Sequence, residues 1–154
     1  MNDKKLNSLV LDSLFKEQEK GTPREWNIGR APQASVAISD NKALYVIPAS
    51  RCFIDIDHLD RPLSENTVHR VFGKTVNLNE LSIVRTIIDR DGIKKIQFTD
   101  GQKTVIGIDK KYYDLLGPKN TYQFWGSGRL PVFVKDPATD GWVAVIMPIE
   151  LTED

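Results

Sequence analysis

The chain has a single cysteine, Cys52, among its 154 residues. It can therefore form neither an internal disulfide nor a cysteine-based zinc site, and one thiol fits a reducing compartment. Net charge is also absent: 21 Lys and Arg oppose 21 Asp and Glu, so no global field draws in nucleic acid or an anionic membrane. No apolar run approaches the ~20 residues of a membrane span. The opening Met1-Asn-Asp-Lys-Lys5 lacks the apolar segment of a signal peptide. The expected address is cytoplasmic, with no membrane partner. H-E-x-x-H, G-x-S-x-G and GxGxxG are missing too, which leaves little case for an enzyme or a cofactor. What is present is a hydrophobic content of 40% with three Trp, four Tyr and six Phe, the composition of a folded protein long enough to bury a real core.

The periodicities predict an α+β chain. Leu6, Leu9, Val10, Ser13, Leu14 and Glu17 recur at three and four residues, giving an amphipathic helix from about Asp3 to Lys20 that Gly21 and Pro23 stop. Thr22 to Gln33 reads as irregular. Ser35–Ser39 and Ala43–Ile47 form a hairpin about Asp40-Asn41-Lys42, and Cys52–Asp57 alternates like a third strand. Arg61 to Asn66 is a polar loop. Val68 to Leu81 is an extended piece followed by a short helix begun near Asn77 or Asn79. Ser82–Ile88, Ile93–Thr99 and Lys103–Ile108 are strands joined by turns at Asp89–Gly92 and Asp100-Gly101. Asp109 caps a short helix, Lys110 to Leu116, closed by Gly117-Pro118. Strands at Thr121–Trp125 and Leu130–Lys135 follow, and Asp140-Gly141 turns the chain into a last strand whose run Trp142–Ile146 is apolar enough to lie between two layers. The two halves thus share a grammar of one helix and three or four strands. The expected organisation is one domain over 1–154: the N-terminal helix at 1–21, a first strand set and crossover at 35–99, and a second strand set with a short helix at 103–151.

Charge is uneven along this layout. Arg85 to Lys135 holds ten basic and five acidic residues, whereas Asp136 to Asp154 holds five acids and no base. Lys94, Lys95, Lys103, Lys110 and Lys111 are the candidates for a DNA-binding patch, with Tyr112, Tyr113 and Trp125 as stacking partners. The competing reading is ordinary solubilising lysines, and strand alternation already sends Lys94 and Lys95 to opposite faces. Asp55, Asp57, His58 and Asp60 form the one dense acid/His cluster. On a strand, Asp55 and Asp57 would share a face about 7 Å apart and could hold Mg²⁺ or a catalytic water; the alternative is a solvated strand end. Gly126-Ser127-Gly128-Arg129 lacks the Lys-Ser/Thr and long helix of a phosphate loop and reads as a hairpin turn.

A strand enters the helix at Ile108-Asp-Lys-Lys-Tyr-Tyr-Asp-Leu-Leu116. After it come Tyr122-Gln-Phe-Trp-Gly126, Pro131-Val-Phe-Val134 and Val143-Ala-Val-Ile-Met-Pro-Ile-Glu-Leu151. This order, over Ile108 to Leu151, resembles the closing half of the last domain of the bacterial DNA sliding clamp, and small phage proteins with a clamp-like domain. The resemblance implies two helices packed on antiparallel sheets. It also implies a channel face carrying Lys110 and Lys111 with Lys4, Lys5, Lys16 or Lys20, and a partner-binding pocket near Met147 and Pro148. One clamp-sized domain would need several copies for a ring, so a homo-oligomer is expected. The function this implies is a non-enzymatic, clamp-like binding protein of DNA replication, phage or prophage encoded. It would use no cofactor and would bind DNA polymerase, other replication proteins or duplex DNA. Two alternatives stand beside it: a small regulatory protein docking on a host protein without DNA, and a metal-dependent hydrolase at Asp55, Asp57 and Asp60.

Overall fold

A computed structural model describes residues 1–128 and 130–151. The chain is α+β, with three α-helices and nine strands paired antiparallel among the described residues. It divides into two compact units, the first Met1–Lys74 and the second from Thr75 onward.

The first unit opens on α1 (Asp3–Lys20). Asn2 caps it, its side chain accepting from the Lys5 N–H at 3.2 Å, and Gly21 ends it at φ 65°, a left-handed conformation open to glycine. Leu6 and Val10 are fully buried. Between them Asn7 is buried as well, because it is saturated: its amide donates to the carbonyls of Asp3 (2.8 Å) and Arg51 (3.0 Å), and its oxygen accepts from the Phe53 N–H (2.8 Å). A buried amide so satisfied holds a loop against a helix without the cost of an unmade hydrogen bond.

Strands β1 (Asn27–Ala31), β2 (Ser35–Ser39) and β3 (Ala43–Pro48) form an antiparallel meander against which α1 packs. The Asp40 carboxylate accepts from the N–H groups of Lys42 (2.7 Å) and Ala43 (2.9 Å) and closes the β2–β3 turn. β1 lies where an irregular segment was expected. Its Gly29 reads as a breaker, but a Cβ there would sit 2.0 Å from the Leu63 carbonyl oxygen. The glycine admits the backbone of residue 63, whose N–H donates to Ile28.

Two further expectations fail in this unit. Cys52–Asp57 is not a strand: 3-10 turns occupy Ala49–Arg51 and Ile56–His58, since the Asp55 carboxylate accepts from the Asp57 N–H and bends the chain. The stretch expected to be loop and then extended chain instead contains α2 (Glu65–Phe72), which packs on β1 through the buried Val68. Among the described residues there are thus three α-helices where the resemblance implied two.

Among its described residues the second unit carries six strands: β4 (Asn79–Ile88), β5 (Lys94–Thr99), β6 (Val105–Asp109), β7 (Gln123–Gly126), β8 (Val132–Asp136) and β9 (Gly141–Ile146). Their spatial order is β9-β8-β7-β4-β5-β6. Between β6 and β7 lies α3 (Lys110–Asp114), capped by Asp109, whose carboxylate accepts from the Lys111 N–H at 3.0 Å. It packs on β5 and β6, whose Ile96, Phe98, Ile106 and Ile108 are buried. Strand β4 begins where the second, short helix was expected. Of the run Trp142–Ile146, expected to lie between two layers, Ala144, Val145 and Ile146 are buried, whereas Trp142 and Val143 are only partly covered; the strand ends there, and Met147 emerges 47% exposed.

Candidate functional site

β6 is the last strand of its sheet, so its outer edge must be blunted or covered. The covering is the terminal segment. The Ile149 N–H donates to the Gly107 carbonyl at 2.8 Å in an isolated antiparallel bridge. Leu151 lies over Gly107 so closely that a Cβ would meet its Cδ2 at 2.4 Å. Lys95 holds the same segment from β5, its ammonium donating to the Glu150 carbonyl at 2.8 Å while forming an ion pair with Asp89. Between Val105–Gly107, Gly128 and Pro148–Leu151 a cavity of about 320 Å³ remains. That is at the small end of ligand-binding clefts.

Of the two residues expected to receive a partner, Pro148 lines this cavity and Met147 stands immediately before it, half exposed. Sequence reasoning missed Val105, Gly107 and Leu151. A glycine inside a strand was the available signal, because it marks close approach of another chain segment.

The lysines do not converge. Lys95 is buried at 5% exposure, and its charge is engaged by Asp89 and Glu150 within the unit. Lys94 and the pair Lys110 and Lys111 lie toward one end of the β5–β6 hairpin, as the rung Lys95↔Asp109 requires. Lys103 is in the turn after Thr99, at the opposite end. Lys110 is tied to Asp114 at 2.8 Å, and Lys111 lies 5.1 Å from the ring centroid of Tyr112. The aromatic partners are occupied: Tyr112 is buried, Tyr113 packs on Phe124 at 5.9 Å, and the Lys135 ammonium stands over Trp125 at 5.8 Å. On α1, Lys4, Lys5, Lys16 and Lys20 are exposed. Arg129 lies outside the described residues.

The chain matches no family model, and no curated protein or solved structure matches it. The surfaces therefore have to be read from their own chemistry.

The carboxylates of the acidic cluster are each directed to a different nitrogen partner. Asp55 holds His58 Nδ1 at 2.6 Å, Asp57 pairs with Arg30, and Asp60 lies 3.4 Å from Arg61 Nε. The Asp57 hydrogen bond, and then its charge, raise the Arg30 pKa above its ordinary value. Among the described residues no group of three His, Cys, Asp or Glu side chains is arranged to hold a metal ion. No helix among them is long and apolar enough to cross a membrane.

Proposed function

We propose that the protein is a non-enzymatic binding protein of clamp-like type that serves DNA replication, as a phage-encoded factor would, through contacts with replication proteins. The observation that carries this reading is the cavity between β6 and Pro148–Leu151, beside the exposed Met147. It offers a short segment of a partner an open groove lined by Val105, Pro148, Ile149 and Leu151. The order β6, α3, β7, β8, β9 is also the order on which the resemblance to clamps rests. Capture of replication proteins by the tagged chain, identified by mass spectrometry, tests it against Met147→Glu. The expected result is enrichment of polymerase or other replication proteins, lost in the variant. Enrichment without any replication protein, or untouched by the variant, overturns it.

The dispersal of the lysines favours one further specification, that docking occurs without DNA. Lys95 is buried, Lys110 is paired with Asp114, and Lys103 lies at the opposite end of the hairpin from Lys94 and Lys111, so these five lysines do not line up as the continuous stripe that phosphate binding needs.

A further inference from the structure

We propose that two copies of this chain associate through the open edge of β4, strand against strand and antiparallel about a two-fold axis. β4 has neighbours on both sides only over its first rungs. Asn79, Glu80 and Leu81 pair with β7, whereas Ser82, Ile83 and Arg85 to Ile88 pair with β5 alone, with a bulge at Val84 that leaves Arg85 to Ile88 as the regular stretch. Among the described residues, no strand lies on the other side of that second stretch. The direction of its backbone groups follows from the Asp89 N–H, which donates to the Ile93 carbonyl at 3.0 Å. Residue 89 therefore faces β5. By antiparallel alternation so do 87 and 85, while Thr86 and Ile88 turn their N–H and C=O groups outward.

The side chains make this edge a pairing surface. Ile83, Val84 and Ile88 are 46%, 49% and 67% exposed. Five of the seven residues from Ser82 to Ile88 are β-branched, with no proline, no glycine and one charge. Such a segment favours a pleated partner, and folded proteins seldom leave one open.

A second copy fits because the segment is complementary to itself. In the register centred on Ile87, Thr86 of one copy faces Ile88 of the other, twice. These are the hydrogen-bonded rungs, and they use the two residues whose backbone groups point outward. Ile87 meets Ile87 on the axis, and Arg85 lies across from Asp89, which Lys95 already holds within each copy, so the register opposes no like charges and needs no new ion pair. Pairing the same patch on both molecules gives the commonest oligomeric symmetry and closes at two, unlike the head-to-tail contacts of a ring. One strand pair is a small interface, so the dimer is weak and concentration dependent.

Sedimentation of the full chain across the micromolar range tests this, with Thr86→Pro and Ile88→Lys alongside. The wild type should rise from 17.4 kDa toward twice that mass. Thr86→Pro removes an outward N–H and spares the bonds to β5, while Ile88→Lys replaces an apolar side chain of each hydrogen-bonded rung and sets two cations diagonally about the axis on one face. Both should stay monomeric with an unchanged far-UV circular dichroism spectrum. If proline unfolds the unit, Ile88→Lys decides alone. A wild type that is monomeric at every concentration overturns the proposal, as does a dimer that survives the folded variants. A monomer that takes a foreign strand at this edge overturns it in favour of another partner.

Discussion

Replacing Lys95 by methionine separates two roles for one residue, a DNA contact and an internal strap. Lys95 and Asp89 are 5% and 7% exposed, and the ammonium also holds the Glu150 carbonyl. Removing the ammonium takes from a buried carboxylate the cation paired with it, a loss that for buried pairs costs about 3–5 kcal/mol. Solvent screening reduces this little, because both groups are under a tenth exposed. Urea unfolding followed by far-UV circular dichroism measures it, with Asp89→Leu and the double variant completing a cycle. Replacing both partners with apolar groups removes the charge together with its counter-charge, so the double variant should recover most of the loss of either single one. A Lys95→Met protein within about 1 kcal/mol of wild type, the ceiling for an exposed pair, refutes the reasoning. So does a double variant whose loss is the sum of the two. A stable Lys95→Met protein with weakened DNA affinity would place Lys95 on a phosphate-binding face instead.

Gly29→Ala should destabilise the first unit by roughly 2–4 kcal/mol, since the new Cβ meets the backbone of Leu63, which cannot move aside; a denaturation midpoint equal to wild type contradicts this. Gly107→Ala meets only the flexible Leu151 side chain and the Ile149 carbonyl oxygen at 3.3 Å. It should therefore cost little globally and free the terminal segment, read as faster amide exchange at Ile149, while exchange as slow as wild type counts against the strap. Backbone N–H bonds from Gln102 first, then desolvation in the opposite sense and bonds from Thr104, leave the Asp100 carboxyl below its ordinary pKa. The unfolded chain therefore takes up this proton first as pH falls. The stability from this group is present above the ordinary carboxylate range and is lost as pH drops through the lower folded value. Asp100→Asn should flatten that acid limb in unfolding curves taken from neutral to acid pH, and parallel limbs would count against the assignment.

Local chemistry wrote much of the fold into the sequence. Helix α1 was legible because Gly21 and the spacing of Leu6 and Val10 are local signals, and the Asp40 and Asp109 turns because a carboxylate folds back on its own backbone. β1 was hidden because the reason for Gly29 is Leu63, thirty-four residues on. Cys52–Asp57 alternates like a strand, yet Asn7 takes the Phe53 N–H and Asp55 takes the Asp57 N–H, so no ladder forms. The same limit applies to the site. Pro148 could be placed near a pocket from the end of the chain, but the burial of Lys95 depends on Asp89 and Glu150, which only the tertiary fold brings to it.

Titration of a labelled DNA duplex with the full chain at about 50 mM salt, where phosphate contacts are strongest, tests most directly whether this is a protein-docking factor that leaves DNA alone. The expected trace is flat, with no saturable binding. Saturable binding whose log K falls linearly with log salt would contradict it and put the exposed lysines to work on phosphates.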